Sequence, residues 1–216
     1  MENLNKYVEH TLLKQDATKK DLIKIFEEAK EHNFLGVCIN PCYIKLAKEN
    51  LKNSDVKIVT VIGFPLGANT TEVKVFETKK AIEDGADEID MVINVTKLKD
   101  DEKDFIVNEI SSIKQACNGH NLKIIIETDL LNNEEIVRAC KYSIEGGADF
   151  VKTSTGFVKG GVGAKVEDVK LMYETVKDAG LQVKASGGIR DKEAAIKMIE
   201  AGAVRLGTSS GVKIIS

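Results

Sequence analysis

The sequence predicts a single-domain (β/α)8 barrel, the TIM-barrel fold, over residues 1–216. Three observations predict it. Short apolar runs recur eight times, helical stretches lie between them, and several of those stretches end in glycine directly before the next run. The runs are 7–11, 34–39, 56–62, 87–93, 122–127, 149–153, 181–186 and 203–207. Runs apolar on both faces point to a parallel sheet covered by helices. The spacing, about 27 residues per unit, is compact for a fold that typically takes about 250 residues. A doubly wound open sheet is the alternative; eight regular units without a second domain favour the barrel.

The helical stretches carry the expected period. Leu22, Ile25, Phe26 and Ala29 share one face, as do Ile106, Ile110, Ile113 and Cys117, and again Val166, Val169, Tyr173 and Val176. Asn40-Pro41 after the second run reads as an N-cap with proline at the first helical position. Gly85, Gly146-Gly147, Gly180 and Gly202 close helices ahead of runs four, six, seven and eight. The last helix, beginning near Thr208, is expected to be short.

Bulk properties exclude several classes. A formal net charge of -3, with 31 basic residues spread along helices, lacks the basic excess of a nucleic-acid binder. No apolar stretch reaches the roughly 18 residues of a membrane span. The start, Met1-Glu2-Asn3-Leu4-Asn5, has neither a basic region nor an apolar signal core, so a cytoplasmic location is expected. Cys38, Cys42, Cys117 and Cys140 form no C-x-x-C pair, and His10, His32 and His120 are far apart. Free thiols in a reducing compartment are expected, with no metal site and no cofactor.

Active sites of such barrels lie at the C-terminal ends of the strands. Three charged residues interrupt the apolar runs: Asp90 in Ile89-Asp90-Met91, Lys152 in Val151-Lys152-Thr153 and Lys184 in Val183-Lys184-Ala185. A charge in a barrel interior is costly unless paired or used. A structural ion pair of Asp90 with one lysine leaves the second lysine an uncompensated cation. A functional reading uses both. On neighbouring strands the two ammonium groups would lie about 6 Å apart and repel by about 2.8 kcal/mol at an effective dielectric near 20. That repulsion brings one amine toward neutrality, the state in which it is a nucleophile. Asp90 then moves protons. An iminium formed on lysine is the electron sink that aldol cleavage needs. Arg205 and Glu127 read as core ion pairs.

Ser186-Gly187-Gly188 follows run seven, and Gly207-Thr208-Ser209-Ser210-Gly211 follows run eight. These are the positions at which this barrel binds phosphate, through exposed backbone N–H groups and a helix N-terminus. Thr155-Gly156 after run six adds donors. Gly160-Gly161-Val162-Gly163-Ala164 lacks the spacing of a dinucleotide loop and reads as a flexible loop.

With these motifs, and with His10-Thr11-Leu12-Leu13-Lys14, Val37-Cys38-Ile39-Asn40-Pro41 and Gly63-Phe64-Pro65-Leu66-Gly67, the sequence resembles the deoxyribose-phosphate aldolases over nearly its whole length. The resemblance implies reversible class I aldol cleavage of 2-deoxy-D-ribose 5-phosphate to D-glyceraldehyde 3-phosphate and acetaldehyde. It implies Lys152 as the Schiff-base lysine, Lys184 as the cation perturbing it, and Asp90 in proton transfer. Gly187, Gly188, Ser209 and Ser210 match the family's phosphate loops, with Gly207, Thr155 and Gly156 beside them, and Cys38 matches a pocket-lining cysteine. The partner is then a small phosphorylated sugar; assembly into a homo-oligomer is left open.

Three positions depart from the family pattern. Glu9 stands where Asp often precedes His-Thr, Phe157 stands where some relatives have Lys, and Ile215-Ser216 lacks the tyrosine that closes some relatives. Proton transfer is expected to proceed without that tyrosine or more slowly. Two other readings of the same barrel stay open: a sugar-phosphate isomerase or epimerase working by acid–base residues, and a non-catalytic sugar-phosphate binder.

Overall fold

In the computed structural model, which describes residues 3–216, eight parallel strands close into a barrel in sequential order. The strands are β1 (Val8–Leu12), β2 (Gly36–Ile39), β3 (Lys57–Ile62), β4 (Glu88–Val92), β5 (Asn121–Ile125), β6 (Phe150–Lys152), β7 (Gln182–Ser186) and β8 (Ala203–Thr208). Every expected run holds a strand. β1 completes the ring by pairing with β8 through Val8 and Leu206. The open-sheet alternative is thereby excluded. Met1 and Glu2, which entered the reading of the N-terminus, lie outside the described residues.

Helices α1 (Lys19–Glu31), α2 (Ile44–Asn50), α3 (Thr71–Asp84), α4 (Val95–Lys99), α5 (Lys103–Ala116), α6 (Asn133–Glu145), α7 (Val166–Val176), α8 (Lys192–Glu200) and α9 (Gly211–Ile215) cover the outer face. Capping boxes start α1 and α6: Thr18 and Asp21, and Asn132 and Glu135, each exchange side-chain and backbone hydrogen bonds. The apolar stripes of α1 and α5 are buried as the period predicts.

Three local expectations are corrected. On α7, Val166 and Tyr173 are exposed, and the buried face is Asp168, Val169, Met172 and Val176. Val169 and Val176 are on the packed face as the period predicts, and Asp168 and Met172 complete it in place of Val166 and Tyr173. Asn40 stands at the N-cap with Pro41 first in the turn Pro41–Tyr43, as expected, but its side chain makes no cap bond; its Nδ2 donates to the carbonyl of Leu13 and ties the β2 loop to the β1 loop. The last helix starts at Gly211, because Thr208 still belongs to β8.

Candidate active site

Side chains alternate along a strand, so residues two apart share a face. Glu88 and Asp90 on β4 therefore point the same way, into the barrel. Glu9 on β1, Lys123 on β5, Lys152 on β6 and Lys184 on β7 join them, and all six are buried. The register sets the neighbours: Asp90 pairs with Lys123, and Lys152 with Lys184.

Asp90 is the hub. Its Oδ1 accepts from Lys123 Nζ at 2.9 Å, and its Oδ2 accepts from Lys152 Nζ at 2.8 Å and Lys184 Nζ at 2.6 Å. Lys184 also donates to Glu9 Oε2. Lys123 meets Glu88 Oε2 at 2.6 Å and Glu9 Oε1 at 3.7 Å. Arg205 approaches Glu9 at 3.6 Å and Glu88 at 3.8 Å, an ion-pair role as expected.

Burial and charge compete at each member. Burial alone would raise the Asp90 pKa, but Lys123, Lys152 and Lys184 hold it well below the usual carboxylate range. Burial works against a charged Lys184, and the Asp90 and Glu9 carboxylates reverse this, raising its pKa above that of a free lysine. Lys123 is raised in the same way, against burial, by Asp90 and Glu9. Glu88, pushed up by burial and pulled down by Lys123 and Lys57, settles at about 2.

This network corrects the expectation of an uncompensated second lysine. Lys184 is a fixed, paired cation, because Glu9 joins Asp90 as its counterion. Lys123 went unnoticed in the sequence, although the criterion that selected Asp90 selects it too: it is a charge inside the apolar run Leu122-Lys123-Ile124.

Above the network lies a cavity of about 730 Å³ at the C-terminal ends of the strands. Lys152, Thr155, Gly156, Gly187, Gly188, Gly207 and Ser209 line it. Lys184 and Asp90 lie beneath, sealed from solvent. Two candidates fall outside the wall. Cys38 is fully buried against Leu13, Val59 and Val61, with its thiol pKa raised by burial despite nearby Lys184 and Lys152. Ser210 faces an adjoining cleft, its N–H donating to Thr208 Oγ1. Lys14 and Arg190 line the cavity and were not singled out in the sequence.

The β7 and β8 loops are shaped for close approach. Gly188 has φ +74°, and a Cβ there would lie 2.3 Å from the Val162 carbonyl oxygen. A Cβ on Gly207 would lie 3.2 Å from Lys184 Cε, so this glycine also leaves room for the lysine stem. Backbone N–H groups of Gly156, Gly187, Gly188 and Ser209 have no protein acceptor among the described residues. They are free donors for an anion.

Glu127 is corrected as well. It forms no ion pair among the described residues; its Oε1 accepts from Thr155 N at 3.0 Å, and its Oε2 from Thr155 Oγ1. Burial raises its pKa against those two bonds. The loop expected to be flexible is pinned, because Asp129 accepts from Val162 N at 3.2 Å and Gly163 N at 2.8 Å. Among the described residues no helix is long and apolar enough to cross a membrane, and no group of three or more His, Cys, Asp or Glu could hold a metal ion.

A family model described as DeoC/LacD family aldolase matches residues 4–216. A deoxyribose-phosphate aldolase of Finegoldia magna is 57% identical over 212 residues, covering 98% of each chain. One from Clostridium botulinum is 58% identical over 213 residues, covering 98% of this chain and 99% of its own. Among solved structures, one described as "QR15, an Aldolase" superposes with a TM-score of 0.94 at 44% identity, covering 99% of this chain and 95% of its own. The deoxyribose phosphate aldolase from Aeropyrum pernix, described as having a unique tetrameric structure, gives 0.91 at 33% identity, covering 98% and 89%.

Proposed function

This chain belongs to the DeoC/LacD family of aldolases, and from that premise we propose that Lys152 is the amine through which it works. It is an aldehyde-lyase that reversibly cleaves 2-deoxy-D-ribose 5-phosphate to D-glyceraldehyde 3-phosphate and acetaldehyde. The observation that supports the lysine assignment is that Lys152 lines the cavity while its Nζ donates to Asp90 at 2.8 Å.

The amine adds to the C1 aldehyde of the open-chain sugar, and loss of water leaves an iminium. The C3 hydroxyl gives up its proton, the C2–C3 bond breaks, and its electron pair moves into the iminium as an enamine. Glyceraldehyde 3-phosphate departs. Protonation at C2 and hydrolysis release acetaldehyde and the free amine. The iminium keeps a positive charge at the nitrogen that Asp90 already faces, so the carboxylate stabilises that charge without reorganising. It can also take and return a proton on that nitrogen.

Lys184 holds Asp90 in place and keeps it ionised. Free N–H groups of the β7 and β8 loops, with Ser209, receive the phosphate, and Thr155 and Gly156 complete the wall. Cys38 supports the floor from below. The reading includes a cytoplasmic location and a homo-oligomeric assembly, the latter in line with the tetrameric Aeropyrum relative. The test is release of both products from deoxyribose 5-phosphate by the purified protein and by Lys152→Arg. Arginine keeps the charge but forms no iminium, so the variant is expected to be inactive. Retained cleavage would show that Lys152 is not the amine that forms the iminium.

A further inference from the structure

The β5 loop carries a carboxylate that the reaction above does not use. Glu127 lies two residues past β5 and is 3% exposed. Its backbone adopts φ 61° and ψ 65°, a left-handed conformation that a non-glycine residue holds only when its surroundings impose it. What the conformation achieves is visible in the side chain. Both carboxylate oxygens are engaged by Thr155, one by its N–H and one by its hydroxyl. The Thr155 hydroxyl in turn accepts from Phe157 N at 3.0 Å. One carboxylate thus sets Thr155, Gly156 and Phe157, three consecutive residues of the cavity wall.

Asp129, two residues further on, grips the other end of the same β6 loop at Val162 and Gly163. The Val162 carbonyl lies against Gly188 of the β7 loop, which lines the cavity. Lys152 itself is held separately: its carbonyl accepts from Ile126 N at 3.0 Å, and the next carbonyl, of Thr153, accepts from Thr128 N at 2.9 Å. Glu127 makes no hydrogen bond or ion pair with Lys152 among the described residues, so its carboxylate does not touch the reacting nitrogen.

We propose that Glu127 is a positioning residue for substrate recognition: with Asp129 it braces the β6 loop from the β5 loop and sets the wall that receives the phosphorylated sugar, without taking part in the chemistry at Lys152. The engaged Thr155 hydroxyl has its proton committed to Glu127, so Thr155 serves the substrate through the wall it shapes. The proposal rests on the Lys152 reading above.

The experiment compares Glu127→Gln and Glu127→Gly with the parent protein. Glutamine keeps the size and one acceptor, but turns an NH2 toward the Thr155 hydroxyl. Glycine removes the brace while tolerating the left-handed backbone. Each variant is assayed for KM and kcat with deoxyribose 5-phosphate, and for borohydride-trapped acetaldehyde on Lys152. The expected result is a KM raised about tenfold, equivalent to about 1.4 kcal/mol, more in the glycine variant, with kcat within about threefold and the adduct retained. Thr155→Val should raise KM as well, and combining it with Glu127→Gly should add little, because both break one contact. An unchanged KM with lower thermal stability would make Glu127 structural and overturn the proposal. A kcat loss of about a thousandfold at unchanged KM would make it catalytic and overturn it too. If the parent protein traps no adduct, the Lys152 reading fails first and this inference falls with it.

Discussion

Lys152 and Lys184 hydrogen-bond to one oxygen, Asp90 Oδ2, at 2.8 and 2.6 Å. Two cations meet at one acceptor, with Lys184 also held by Glu9. The outer lysine opens to the cavity and the inner one is sealed. Under the proposed mechanism this arrangement separates two tasks: Lys184 fixes the carboxylate, and Lys152 is the amine that leaves the network and reacts.

Replacing the hub should therefore damage activity and stability together. Asp90→Asn takes a shared carboxylate from three buried lysines and leaves Lys152 with no ion pair among the described residues, and breaking buried pairs costs about 3–5 kcal/mol. Cleavage of deoxyribose 5-phosphate is expected to fall about a thousandfold, with a lower denaturation midpoint in urea. A variant with parental stability and activity would remove Asp90 from the account.

Lys184→Met should behave differently from Lys152→Arg. The first removes one of the two cations that Glu9 and Asp90 share and leaves only Lys123 between them, so the barrel weakens by about 3 kcal/mol or more and turnover falls. The second keeps the charge and should retain most stability while losing turnover. Thermal melts beside steady-state assays separate the two. Equal melting losses in both variants would contradict the division of tasks.

The phosphate loops can be tested by discrimination. Gly188→Ala places a methyl group against the Val162 carbonyl in a left-handed conformation. KM for deoxyribose 5-phosphate is expected to rise about tenfold, equivalent to about 1.4 kcal/mol, while kcat/KM for unphosphorylated 2-deoxyribose changes little. A parallel loss on both substrates would place the phosphate elsewhere.

The buried network also sets an acid limit. Glu88 titrates at about 2 in the folded chain against 4.5 for the free group, so it binds its proton less readily when folded. Its contribution is present above pH 4.5 and is lost as pH falls toward 2. Asp90 acts in the same direction. Lys184 is raised, so its contribution is present below 10.5 and is lost only as pH rises through its folded value. Calorimetry is expected to show a melting temperature that is flat near neutrality and falls below about pH 4.5. In Glu88→Gln that acid slope should be shallower; an identical slope would show that Glu88 is not responsible.

The barrel was legible because strands buried on both faces and glycine-terminated helices leave a strong pattern. Lys152, Lys184 and Asp90 were legible because charge inside an apolar run is rare and costly. Their counterions were less so. Glu9 and Lys184 are 175 positions apart and meet only because the barrel closes β1 onto the far side of the sheet. Glu127 was misassigned because its identity suggests an ion pair, whereas a left-handed backbone turns it toward Thr155. The α7 face was misplaced because Val166 and Tyr173 fit an apolar stripe that the barrel does not cover.

The central claim is that Lys152 forms the covalent bond to substrate. Borohydride reduction in the presence of acetaldehyde, followed by peptide mass mapping, tests it most directly. The account predicts a reduced two-carbon adduct on Lys152 and none on the other lysines of the buried network, with the adduct absent from Lys152→Arg. Folded, reagent-competent protein that carries no adduct, or carries it on Lys184 or Lys123, would contradict it.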